Sequence, residues 1–242
     1  LCTTEKLVNV ILPEKCKYSL NFVCGIINSP YASFYLSSLL FSKTTETSRV
    51  MDYPYSSLIP IPKVKFTAPQ SYLNNIVERL KEKLELNSSG SEEFANELKQ
   101  GISIHQSHVI HEIIDLIVQK IIIINQSIQN KQHEFINIIY NKFSEITRDS
   151  DLEKGKEMKF KYMELCGTVN WLTFKNRIQK TYSFPFKMFQ ELEEIYKRIR
   201  SQITKESKFI TFLNEIVDEL ARIIFNLDKE HKRIVLRSLG EI

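Results

Sequence analysis

Three histidines, His105, His108 and His111, follow one another at three-residue spacing. On a helix that spacing keeps the imidazoles near one face, an arrangement able to hold a metal ion. No cysteine lies near them, and we read them as surface or cap histidines with no resident metal. Asp149 and Asp151, followed by Glu157-Met158-Lys159, have the residue types of a Mg²⁺-dependent nuclease, in which carboxylates hold the ion and a lysine meets developing charge. No strand pattern frames them, so a solvated charge run is expected. Asn28-Ser29-Pro30-Tyr31 sets an amide and an aromatic ring beside a proline, groups that can grip an amine and stack on a flipped base. Serine followed by proline is equally the start signal of a helix, and that is the reading adopted. No Gly-rich phosphate loop and no G-x-S-x-G elbow occurs. No catalytic residue and no metal ligand is therefore assigned within the chain.

The elements that carry these residues are mostly helical. Gly 6 and Pro 7 in 242 residues leave too few turn formers for a sandwich or barrel. Residues 1–66 are the mixed part. Leu7–Leu12 reads as a short strand, Asn21–Ile27 as a helix ending at Asn28-Ser29, and Pro30 to Leu40 as a helix capped by Ser29. Ser42–Arg49 reads as a polar loop, and Ile59–Val64 as extended chain enforced by Pro60 and Pro62. Thr67 is expected to cap a helix starting near Pro69.

Farther on, Ser107 to Thr147 carries apolar residues in heptads, with Ile110, Ile117 and Ile124 on one track and Ile114, Ile121, Ile128 and Phe135 on the other. A 3.5-residue repeat makes a seam for a second helix, and such a rod is about 60 Å long. Phe186 to Leu227 repeats the pattern in its second half, with Thr204–Lys208 as an expected interruption, and Asp228 caps a helix from Lys229 to Leu239. The expected fold is mainly α with a small α/β N-terminal part, in which long antiparallel, coiled-coil-like helices form a scaffold.

The net charge of +4 is modest. Residues 1–66 hold seven Lys/Arg against four Asp/Glu, and 151–200 hold eleven against seven; a mild basic bias fits phosphate contact. Cys2, Cys16, Cys24 and Cys166 are widely spaced and read as reduced thiols of a cytoplasmic protein. The longest apolar run, Ile121–Ile124, is too short to span a bilayer. The chain opens on Leu1 without a leader pattern, and we expect it to be a piece of a longer polypeptide.

One ordered set of segments resembles a known family. Residues 18–29 (YSLNFVCGIINS) resemble the segment ending in L-N-S of certain restriction–modification enzymes. There an aromatic-rich helix follows, as Tyr31–Phe41 does here, then a polar DNA-facing loop and a closing I-P-I-P, which Leu58–Pro62 is similar to. Gln70–Arg79 ends in the family's I-V-E-R, Ser107–Phe143 resembles its long helix, and Val217–Asp228 resembles its closing segment, with Asn226 where the family has glycine. The family is the fused type IIG restriction endonuclease–methyltransferases, with related adenine-specific DNA methyltransferases, and Asn28–Tyr31 resembles the N-P-P-Y signature of amino-methyltransferases.

The resemblance implies that residues 1–66 are the tail of a target-recognition domain and 67–242 a helical spacer and C-terminal scaffold. The chain itself would not be an enzyme. Site-specific methylation and cleavage, with S-adenosylmethionine and Mg, would belong to upstream methyltransferase and nuclease domains of the same parent. The implied partner is double-stranded DNA. Lys15, Lys17, Lys43, Lys63 and Lys65 would meet phosphates, while Thr44, Thr45, Ser48 and Arg49 could reach base edges, Arg49 being suited to guanine. The alternative is a helical module that dimerises or docks a partner through its apolar stripes without binding DNA.

Overall fold

The protein is described by a computed structural model covering residues 12–36, 59–85, 106–144, 166–179 and 186–240. Helix α1, Leu20–Ile27, starts where the Ser19 hydroxyl accepts the Phe22 N–H. Ser29 then does two jobs while fully buried: its hydroxyl donates to the Ile26 carbonyl at 2.7 Å and accepts the Ala32 N–H at 3.4 Å. With Pro30 at the first helical position, these bonds end α1 and open α2, Pro30–Tyr35.

Helix α3, Gln70–Glu85, begins differently from expectation. The Thr67 N–H and hydroxyl both donate to the Lys65 carbonyl, at 2.9 and 3.4 Å, so Thr67 closes a turn in the preceding segment. The first helical acceptor is the Pro69 carbonyl, which takes the N–H groups of Tyr72 and Leu73. Leu73, Leu80 and Leu84 form the buried stripe of α3.

Two 39-residue helices follow: α4, Gln106–Ser144, and, after the short α5, Trp171–Gln179, the helix α6, Phe186–Ile224. Of the heptad positions of α4, Ile110, Ile114, Ile117, Ile124 and Phe135 are buried, while Ile121 and Ile128 are only half-buried. In α6 the spacing of Phe189, Leu192, Tyr196, Ile199 and Ile203 alternates three and four residues, and all five are buried. Thr204–Lys208 does not interrupt α6. Without Gly or Pro, polar residues facing water leave the backbone ladder intact.

Helix α6 ends in a Schellman motif, in which Leu227 N–H reaches the Arg222 carbonyl and Asn226 N–H the Ile223 carbonyl. Asn226 there has φ +55°, a left-handed conformation that asparagine tolerates better than other side chains. Asp228 caps α7, Lys229–Leu239, accepting the His231 N–H at 2.8 Å.

The chain divides into two compact units, Leu1–Lys120 with Phe212–Ile242, and Ile121–Thr211. In the first unit α7 packs on α2, and α1 approaches its neighbours closely at Gly25. A Cβ built there would lie 2.7 Å from Ile114 and 3.1 Å from Val118, which explains a glycine within a helix. In the second unit Phe135, Ile136 and Ile139 of α4, Phe174 and Ile178 of α5, and Leu192 and Tyr196 of α6 share one core. Lys142 pairs with Glu191 at 2.7 Å and Lys131 with Glu206 at 2.6 Å, so α4 and α6 run antiparallel there.

The mainly helical class is as expected. Among the described residues there is no β-strand, so the small α/β part of residues 1–66 is not shown. Ile59–Val64 is extended as its prolines require but joins no ladder, since Pro60 and Pro62 have no N–H to donate. The expected strand Leu7–Leu12 lies outside the described residues except for Leu12. No helix among the described residues is long and apolar enough to cross a membrane.

The left-handed site gives a direct test. Asn226→Ala should destabilise by about 1 kcal/mol and Asn226→Gly should be neutral or stabilising, read as shifts in the urea midpoint.

Candidate nucleic-acid interface

Two non-helical segments of the first unit, residues 12–19 and 59–68, carry four of the lysines expected to meet DNA. Neither segment belongs to a sheet, and side chains satisfy several of their backbone polar groups. The Tyr18 hydroxyl joins them, donating to the Pro62 carbonyl at 3.3 Å and accepting the Val64 N–H at 3.0 Å. Along 61–65 exposure alternates: Pro62 and Val64 point inward, while Ile61, Lys63 and Lys65 face solvent.

The first turns of α4 supply the remaining acceptors. Ser107 Oγ accepts the Lys65 N–H at 2.9 Å, His108 Nδ1 the Ala68 N–H at 3.2 Å, and His111 Nε2 the Ser19 N–H at 2.9 Å. A backbone N–H only donates, so His108 Nδ1 and His111 Nε2 carry no proton. His111 Nδ1 must then hold the proton, which it gives to Glu112 Oε1 at 3.0 Å. This bond from His111, foremost, holds the Glu112 carboxyl below its ordinary range. Burial, ahead of the neighbouring charges, lowers the pKa of His108.

Aromatic rings pack around this clamp. The Phe66 ring lies edge-on to His108 and His111, at 5.0 and 5.2 Å between centroids, and Phe22 lies 4.7 Å from His111. Lys17 Nζ sits 6.0 Å from the Phe66 centroid, at the limit of a cation–π contact.

Lys15, Lys17, Lys63 and Lys65 are exposed, and none forms an ion pair among the described residues. The structure thus brings together two basic segments far apart in sequence. Lys43, Thr44, Thr45, Ser48 and Arg49 lie outside the described residues, as do His105 and the Asp149–Lys159 run.

Reading the histidines as surface or cap groups needs correction for His111, which is 3% exposed. It neighbours Ile110 and precedes Ile114 on the apolar stripe, a placement that signals a core histidine once the helix phase is known. The donor set does not suit a metal ion, because one nitrogen of His108 and one of His111 is committed to a backbone N–H. Among the described residues no three His, Cys, Asp or Glu side chains converge on a metal site. Tyr31 is buried rather than offered to a base. Burial, ahead of the nearby Glu219, pushes its phenol up to about 12.

The bond that His108 accepts from the Ala68 N–H requires its Nδ1 to be bare, which fixes the sign of the His108 contribution to the pH dependence. The folded-state pKa of His108 is below 6.5, so its contribution is complete above pH 6.5 and is lost as pH falls through the folded value. The urea midpoint should therefore fall between pH 7.5 and 5.5, and His108→Gln should flatten that slope. At pH 7.5 His111→Ala should cost about 2–4 kcal/mol, since it opens a cavity and orphans the Ser19 N–H.

No protein-family model, no curated protein and no solved structure matches this chain.

Proposed function

We propose that the chain is a DNA-recognition and scaffold part of a type IIG-like restriction–modification enzyme, with residues 1–66 as the tail of the recognition domain and 67–242 as the helical scaffold. The observation that carries this reading is the pair of exposed lysine segments held side by side by Tyr18, Ser107, His108 and His111. Exposed lysines that form no ion pair among the described residues can neutralise phosphates without losing such a pair on binding, and phosphate contacts set the register of a protein on a duplex. The polar residues Thr44, Thr45, Ser48 and Arg49, with Lys43, belong to the same recognition surface on this reading and supply its base contacts.

The parent enzyme is cytoplasmic on this reading. Its methylation and cleavage chemistry, with S-adenosylmethionine and Mg, resides in other domains, and neither cofactor is assigned to a residue of this chain. Asn226 departs from the family's glycine but stands at a left-handed position, a conformation that glycine adopts freely.

Binding to random-sequence duplex DNA across a salt titration tests the proposal. The expected result is affinity that falls steeply with salt. Replacing Lys15, Lys17, Lys63 and Lys65 by Ala together should reduce the logarithmic salt slope by about 3–4, roughly one per phosphate contact. Affinity that ignores salt and these substitutions would favour the alternative, a helical module that docks a protein partner.

A further inference from the structure

The second unit carries a separate basic groove. Between the start of α5 and the outer face of α6 lies an open cavity of about 610 Å³, lined by Trp171 and Leu172 on one wall and by α6 on the other. The α6 wall is a single helical stripe: Lys197, Arg200, Ser201, Thr204, Lys205 and Lys208 follow one another at alternating three- and one-residue steps, and all six are exposed. Lys197 is neutralised by Glu193 at 2.6 Å. Arg200, Lys205 and Lys208 form no ion pair among the described residues, so the groove presents four cations against one carboxylate.

The opposite wall offers a ring. Trp171 packs against Phe174 and Tyr196 at 6.2 and 5.4 Å between centroids, while its indole borders the cavity. Tyr196 anchors that wall, donating to the Val169 carbonyl at 2.7 Å and accepting the Gly167 N–H at 3.4 Å. Gly167 has φ +86°, and a Cβ there would meet Ile203 at 2.7 Å, so the turn leading into Trp171 has one backbone path.

We propose that this groove binds a single strand of nucleic acid, its phosphodiesters along the α6 stripe and a base against Trp171. From Lys197 to Lys208 the stripe is about 16 Å long, long enough for several consecutive phosphodiesters of one strand. That exceeds a mononucleotide. The interleaved hydroxyls of Ser201 and Thr204 are phosphate donors. A basic track beside an aromatic platform is the arrangement that holds single strands without regard to sequence. An acidic peptide would match the charge but has no use for a stacking ring. The inference stands apart from the lysine surface of the first unit and does not rest on it.

Trp171 is the sole tryptophan of the chain, so its fluorescence reports on this groove directly. The full chain is titrated with a twelve-residue oligothymidylate at low salt. The expected result is saturable quenching that weakens with salt. The triple variant Arg200→Gln, Lys205→Gln, Lys208→Gln should lose about tenfold or more in affinity and about two units of salt slope, with an unchanged circular dichroism spectrum. Lys63→Ala with Lys65→Ala should leave the quenching intact, which separates this groove from the lysine surface. Three results would overturn the proposal: no saturable quenching, unchanged affinity in the folded triple variant, or equal and equally sensitive quenching by polyglutamate, which would make it a site for acidic polypeptide.

Discussion

Buried backbone polar groups that belong to no helix or sheet need partners from turns, side chains or water, and in the first unit side chains of α4 and Tyr18 supply several of them. Segments 12–19 and 59–68 pass over α4 without a ladder. Three acceptors in its opening turns, Ser107, His108 and His111, take their N–H groups, and the Tyr18 hydroxyl bridges the two segments to each other. Imidazole suits this role only while one nitrogen is bare. The same geometry that fixes the lysine segments therefore occupies one ring nitrogen of each of these two histidines with a backbone N–H. Glu112 completes the arrangement by accepting the remaining proton of His111.

The second unit solves a similar problem with Tyr196, whose hydroxyl donates to one carbonyl and accepts one N–H of the turn at residues 167–169. A tyrosine at the edge of an apolar core can bury its ring and still satisfy nearby backbone through its hydroxyl. In this unit the ring also stacks at 4.8 Å on Phe174, so the turn, α5 and α6 are fixed by one residue. In each unit a tyrosine hydroxyl thus fixes non-helical chain: the lysine segments in the first, the turn leading into Trp171 in the second.

Much of the helical framework was legible before the structure. Ser29-Pro30 and Asp228 are local signals whose effect depends on neighbours within three residues, and both act as caps. The α4 heptads were readable in outline because a 3.5-residue repeat marks the buried face, though Ile121 and Ile128, in the middle of the helix, are only half-buried. What was not legible depends on distant partners. Thr67 was expected to cap α3, but its hydroxyl turns back to Lys65, in a segment whose next N–H is already taken by His108, forty residues away. His111 looks polar in sequence, and its burial follows only from the segments laid over it. The tyrosine bridges carry no sequence pattern at all. Lys63 and Lys65 were singled out for their charge, yet their pairing with Lys15 and Lys17 came from the Tyr18 bridge. The α6 stripe was present in sequence as cations and hydroxyls at helical spacing, but the expected break at Thr204–Lys208 cut it in two and hid the continuous face.

The most direct test of the central claim, that the clamped lysine segments form a DNA-binding surface, is amine footprinting of the full chain by limited acetylation, with and without duplex DNA, read by mass spectrometry at each lysine. The account predicts that Lys15, Lys17, Lys63 and Lys65 lose reactivity together when DNA is bound, while Lys81, on the outer face of α3, does not. Protection spread evenly over all exposed lysines, or confined to sites outside these two segments, would contradict it.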